Sequence, residues 1–488
     1  MLVTASAAFC QKSDTTEARP EDVAGQPEEK GLPPGLLQAH AIPPEMEITK
    51  ELLTDGEEAD WKKKGGETAF QNALKATNPN EDEKKALDAA AKWWAYRLTM
   101  KKYREEEKNP EKEKPGPAAK NAPPKERLPD LRKTLIGQIR NYSKPTAPAA
   151  REYFLKALTD RLAELLDNHF LVRLNAVLLL GQLQSDNGIP TKNPPVEPTP
   201  YVGAYTLLLA VIKDDKQHAA LKVAAVRGLT RICQGALPEA NDKRRGEIAM
   251  VLAAELAKKE THWWYQMVLA EALGTVGVTY DPNNKQNPIV LQVLAEAVAD
   301  KKRHWEVRTK SARSIGRLPL DANLNIAPVA YEIVQLGLQM SQGYNANAKR
   351  DAWNNYFWNL YLAFKAEKAD AKVPGGKRKP GLLEALPNSK EIKDAYEQIV
   401  LMASHVLNEN GKQFSAADMK AFEEWIKGHL PANGRITPGA PPVITKPDAA
   451  STKPGPTGNG KPASAVTKPE PTKSEPTKPE PTNPATAE

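Results

Sequence analysis

Cysteine is almost absent: Cys10 and Cys233 are the two in 488 residues, too few for a disulfide framework or a zinc knuckle. No apolar run approaches the roughly 18 to 20 residues of a membrane span. Catalytic signatures are missing as well. There is no phosphate-cradling Gly-Lys-Ser/Thr loop, no Gly-x-Ser-x-Gly, no His-Glu-x-x-His and no Cys-x-x-Cys, and the many carboxylates mark no convergent pair. The expectation is a chain that is not an enzyme and carries no cofactor or metal. Hydrophobic content is low at 40%, so a sizeable share of the chain is expected outside any core.

Charge of one sign is also lacking. Net charge is +7, yet 68 Lys and Arg stand against 61 Asp and Glu, interspersed over most of the length. That balance hints at an acidic partner without the concentrated basic face of a nucleic-acid binder. The first residues, Met1 to Gln11, are small and apolar with an Ala5-Ser6-Ala7 step. They read as the remnant of a signal peptide, which tips the expected location toward export rather than cytoplasm.

What is present is repetition. His169 to Leu183, His218 to Ile232, His262 to Val276 and His304 to Leu318 align without a gap, at offsets of 49, 44 and 42 residues. An apolar residue follows each His by three positions (Val172, Leu221, Tyr265, Val307). Counted from it, positions 0, +4, +8 and +11 fall within about 80° on a helix, which makes one buried stripe. Repeats at this period are helix pairs too small to bury their own apolar faces, so they stack. Preceding helices are expected at Arg151 to Leu166, Tyr201 to Ile212, Ile248 to Leu256, Ile289 to Val298 and Ile326 to Met340. The fifth pair closes near Asp351 to Phe364.

Val172-Arg173, Ala176, Leu180-Gly181 and Leu183 resemble the inner-helix signature of HEAT repeats, and Leu221-Lys222, Ala225 and Leu229 and Val307-Arg308, Ser311 and Ile315-Gly316 repeat it. The resemblance covers about residues 150 to 365 and implies an all-α, right-handed α-solenoid. The overall layout resembles exported bacterial HEAT-repeat proteins. Such proteins are mostly scaffolds and adaptors; a few are chromophore lyases or alkylpurine DNA glycosylases.

The sequence divides accordingly. Residues 1–60 read as signal remnant and disordered leader, 80–108 as an N-terminal helix, 109–129 as a linker and 130–366 as the HEAT-like repeats. A basic Gly/Pro loop follows at 367–388, then capping helices at 389–430, the second of which, about 415 to 429, is expected to turn a polar face outward. Residues 431–488, with Thr-Lys-Pro-Glu-Pro repeating every five residues, read as a disordered, polyproline-like tail. The N-terminal helix, with Trp93 and Trp94, is expected to cover Leu174 and Leu178 on the first inner helix, because a terminal repeat has no earlier neighbour.

Two constellations stand out. His169, His218, His262 and His304 share one position and form a ladder; neighbouring helices about 8 to 10 Å apart cannot bring them round one ion, so capping or packing at the helix entry is the expected role. Phe170, Trp263, Trp264 and Trp305 at the same edge are read as filling the joints between repeats. Positions +6 and +10 point away from the stripe and supply Arg227, Arg231, Arg313 and Arg317, joined by Lys310. This set suits carboxylates through bidentate pairing and is the candidate surface for a protein or peptide partner. Nucleic acid, through the same arginines and the tryptophans, ranks second.

Overall fold

In a computed structural model of the chain, 17 α-helices and no named strand occur among the described residues, which are 50–104, 126–189, 191–192, 196–238, 242–322, 324–349, 352–367, 379–409 and 411–444. The helices are α1 (Asp55–Lys63), α2 (Gly66–Ala73), α3 (Glu81–Arg97), α4 (Leu128–Tyr142), α5 (Pro148–Ala163), α6 (Phe170–Gln182), α7 (Tyr205–Lys213), α8 (Ala219–Gly235) and α9 (Lys243–Ala257). They continue as α10 (Trp263–Val276), α11 (Ile289–Ala299), α12 (Trp305–Ile315), α13 (Ala327–Ala346), α14 (Ala352–Phe364), α15 (Leu382–Ala385), α16 (Lys390–Asn408) and α17 (Ala416–Gly428).

Local chemistry sets the helix ends. Thr54 with Glu57, Asn80 with Glu83 and Ser415 with Asp418 form capping boxes, in which side chain and backbone satisfy each other's orphan groups. Asp242 accepts from two backbone N–H groups at the start of α9. Gly277 ends α10 in the left-handed region, φ 67°, which only glycine enters without strain.

Packing follows a simple order. α4, α6, α8, α10, α12, α14 and α16 touch in succession, and so do α7, α9, α11 and α13, with α17 beyond α13. α3 packs on α5 at the start of this second row. The expected stripe is buried in all four aligned helices, including Tyr265, Leu269, Leu273 and Val276 of α10. Glycine sets how closely the first row packs. A Cβ on Gly181 would lie 3.1 Å from the Gly228 Cα, one on Gly274 2.7 Å from the Ser314 Cβ, and one on Gly316 2.2 Å from the Ala363 carbonyl oxygen.

Several expectations are corrected at the ends. The leader does not reach residue 60, because α1 begins at Asp55; α2 has no counterpart in the reading. The N-terminal helix stops at Arg97, and a 3-10 turn at Lys101–Tyr103 follows. The reason is Arg97, whose guanidinium sits over Trp93 (4.3 Å) and pairs with buried Glu58 at 2.8 Å, folding the chain back. This helix does pack on the first repeat, against α5, but it is not the helix that covers α6. α4, which starts inside the expected linker at Leu128, packs on α6, with Leu128, Leu131, Leu135 and Ile139 buried and Arg132 bonded to Asn175. Leu174 and Leu178 are half-buried. Trp93 and Trp94 are buried, Trp93 stacking on Trp61 at 4.1 Å.

At the other end, the basic loop contains α15, with Leu382 buried; residues 368–378 lie outside the described residues. The tail does not begin at 431. Ile436 and Ile444 are buried, Arg435 pairs with Glu332 of α13 at 3.0 Å, and the Gly439 N–H donates to Glu296 of α11 at 3.3 Å. The signal remnant, most of the leader and linker and the Thr-Lys-Pro-Glu-Pro repeats fall outside the described residues. No helix among the described residues is long and apolar enough to cross a membrane.

Candidate functional site

The four aligned histidines are the N-caps of α6, α8, α10 and α12. In each the ring Nδ1 accepts the backbone N–H two residues on: Leu171 at 3.1 Å, and Ala220, Trp264 and Glu306 at 3.2 Å. The cap satisfies one of the orphan donors of the first turn. Rings of the preceding repeat reach two of these caps. Phe170 meets His218 edge-on at 5.1 Å, and Trp263 stacks on His304 at 4.5 Å and 21°. The ladder is thus a joint between successive helices. Among the described residues no three His, Cys, Asp or Glu side chains gather so as to hold a metal ion.

Below each cap runs a second column, whose residues belong to the repeated signature but had no role assigned from sequence. The residue after the stripe's first position is polar in every repeat (Arg173, Lys222, Gln266, Arg308), and all four are buried. Arg173 donates to Gln217 at 3.1 Å, and Arg303 donates to Gln266 at 2.9 Å; Gln217 and Arg303 each immediately precede the next His cap. Lys222 instead pairs with Glu255 at 3.3 Å, and the Tyr265 hydroxyl donates to the same carboxylate at 3.0 Å. Arg308 donates to the Val298 carbonyl and to Gln339, both at 2.9 Å, and burial pushes its guanidinium down to about 10. The signal was in the sequence as a basic or amide residue repeating beside an apolar one.

The arginine set does not form one open surface. Arg231 is half-buried and donates to the Gly181 carbonyl at 2.8 Å, tying α8 to the end of α6. Arg313 and Arg317 both clamp Glu367, Arg317 at 2.7 and 2.9 Å. Burial alone would raise the Glu367 carboxyl; the hydrogen bonds and charges of Arg317 and Arg313 bring it down to about 2. Lys310 faces Glu271 of α10 at 3.5 Å. Arg227 is exposed, its guanidinium 5.8 Å from the half-buried Trp264 ring. Trp305 is buried under Arg308 at 4.9 Å.

No protein-family model matches the chain, and no curated protein is similar to it. The chemistry of this face therefore rests on its own residues. Cys233 is buried, and burial pushes its thiol up to about 12, far from the thiolate that nucleophilic work needs. Carboxylates with strongly lowered values, Glu58 and Glu367, are held in ion pairs, an arrangement of structural staples rather than acid-base pairs.

Proposed function

We propose that this chain is a non-enzymatic scaffold, a right-handed α-solenoid of HEAT-like helix pairs that holds a protein or peptide partner along the His-capped row. The observation that carries this reading is the serial packing of α4 through α16, an arrangement in which each helix meets its neighbours and a long face stays open. Arg227 is the cation on that face best placed for a partner carboxylate. It is exposed, pairs with no carboxylate among the described residues, and has the Trp264 ring beside it. Lys310 and Glu271 across the next joint supply charges of both signs, so the face suits a protein surface better than a polyphosphate backbone.

The test is affinity purification of the tagged full-length chain from its native cells, wild type beside Arg227→Glu. A protein retained by the wild type and lost by the variant, with helical signal and melting unchanged, is the expected result. If both forms retain the same partners, Arg227 has no part in binding. Recovery of nucleic acid with a steep salt dependence would favour the second reading, since phosphate contacts release counterions.

A further inference from the structure

At the C-terminal end the pairing of helices opens. α7 packs with α8, α9 with α10 and α11 with α12, whereas α16 packs on α13 and α14 and α17 packs on α13. A cleft of about 710 Å³ lies between α16 and α17. Its floor is aromatic: Phe414 and Phe422 are buried, and Trp425 is half-buried. Across from them Leu401 is 57% exposed. Of the six large apolar side chains exposed among the described residues, three (Leu401, Leu407 and Leu430) fall in this stretch. A terminal repeat normally turns a polar face outward; here α16 leaves Leu401 and Leu407 exposed.

The titratable groups lining the cleft are Glu409, Asp418 and His405, and Lys412 pairs with Glu409 beside it. Hydrogen bonds from Ser415 hold the Asp418 carboxyl below its usual range, and Lys412 does the same for Glu409. The His405 ring stacks on Phe414 at 4.1 Å, and its Nε2 donates to the Lys412 carbonyl at 2.8 Å. An apolar floor with carboxylates at the rim is complementary to a segment that is apolar on one side and basic beside it. The opening lies beside α16, the last helix of its row among the described residues.

We propose that this cleft docks a short amphipathic helix of another protein, with aliphatic side chains on the aromatic floor and lysine or arginine against Asp418, next to the Glu409–Lys412 pair. Such helices present anchors at i, i+3 or i+4 and i+7 to a groove. The proposal rests on the reading of the chain as a partner-binding scaffold but uses a surface separate from Arg227. The arginines of the central row are engaged internally or lie elsewhere, so the partner sought here is basic, opposite in sign to the one their presence in the sequence suggests.

The test uses the full-length chain and two fluorescein-labelled model helices, one of leucine and lysine, the other with every lysine replaced by glutamate, followed by anisotropy. The leucine-lysine peptide should bind, and the glutamate version should bind on the order of tenfold more weakly. Leu401→Asp, at an exposed position that folding does not depend on, should weaken the first peptide on the order of tenfold, the loss expected for an anchor contact. It does so although it adds a negative charge that purely electrostatic attraction would favour. Arg227→Glu should leave this peptide unaffected, which separates the cleft from the central face. Equal binding of both peptides, or undiminished binding to Leu401→Asp, would overturn the proposal. A wild-type dimer that Leu401→Asp dissociates in sedimentation would also overturn it, assigning the cleft to a second copy.

Discussion

At the scale of single residues, the His caps show how one physical role can be read from position alone. A residue repeated at the entry of four helices, with Nδ1 reaching the N2 amide, does the work usually left to Asn, Asp or Ser. His262→Asn should therefore melt within about 0.5 kcal/mol of wild type, and His262→Ala should lose about 1 kcal/mol; equal losses would show that the ring matters by packing on Trp263 (5.4 Å) rather than by capping. Glu367 makes a pH prediction. Its folded value is lowered to about 2 from 4.5, so the stability it contributes is fully present above about pH 4.5 and is lost as pH falls through 2. Glu367→Gln should cost about 3 kcal/mol at pH 7, because it leaves Arg313 and Arg317 without their counter-ion. That cost should shrink in urea titrations repeated toward pH 2. This clamp was not legible beforehand: Arg313 and Arg317 could be placed on one helix face, but Glu367 follows a different helix, and nothing in the spacing brings it there.

At the scale of the helices, periodicity placed α5 to α14 because each carries its own apolar stripe. It failed where a helix is held by a few long-range polar contacts. α1 is nine residues of which Glu58 alone is buried, so its pattern reads as solvent-exposed, and its place depends on Arg97 and Lys102 together with the stacking of Trp61 on Trp93. The Trp-bearing helix reaches the first repeat on α5, as expected, while Leu174 and Leu178 lie on α6, which is covered by α4 with four aliphatic residues next to a proline-rich stretch. Glycine gives a sharper test of the helix contacts. A Cβ on Gly316 would meet the Ala363 carbonyl oxygen at 2.2 Å, backbone that cannot swing aside, whereas Gly137 in the middle of α4 has nothing within 4 Å. Gly316→Ala should thus destabilise by about 1 to 3 kcal/mol through overpacking of α12 on α14. Gly137→Ala should stabilise by about 0.5 to 1 kcal/mol by restricting the unfolded chain. Thermal melts of the two variants moving in the same direction would mean that α12 and α14 do not cross at Gly316.

At the scale of the whole molecule, serial packing makes most contacts local in sequence, so long-range ties at the ends carry unusual weight. The segment after α17 is such a tie. It was read as the start of a low-complexity tail because its prolines and lone hydrophobics have no period, yet Arg435 reaches back to Glu332, a separation of 103 residues, and Ile436 and Ile444 lie buried. Glu332 is 2% exposed, and Arg435 is its partner among the described residues. Removing the arginine strands a buried carboxylate, but Arg435 is itself 40% exposed, and solvent screening keeps the loss below that of a sealed pair. Arg435→Ala should therefore cost about 2 kcal/mol at pH 7, and most of that cost should vanish in a Glu332→Gln background, where no charge is left to strand. Ile444→Ala should cost about 2 to 4 kcal/mol as a buried large-to-small change, while Leu430→Ala, at an exposed side chain, should change stability by less than about 0.5 kcal/mol. A double-mutant cycle in which the Arg435 and Glu332 substitutions simply add, together with an Ile444→Ala variant that melts like wild type, would show that the folded body ends at α17.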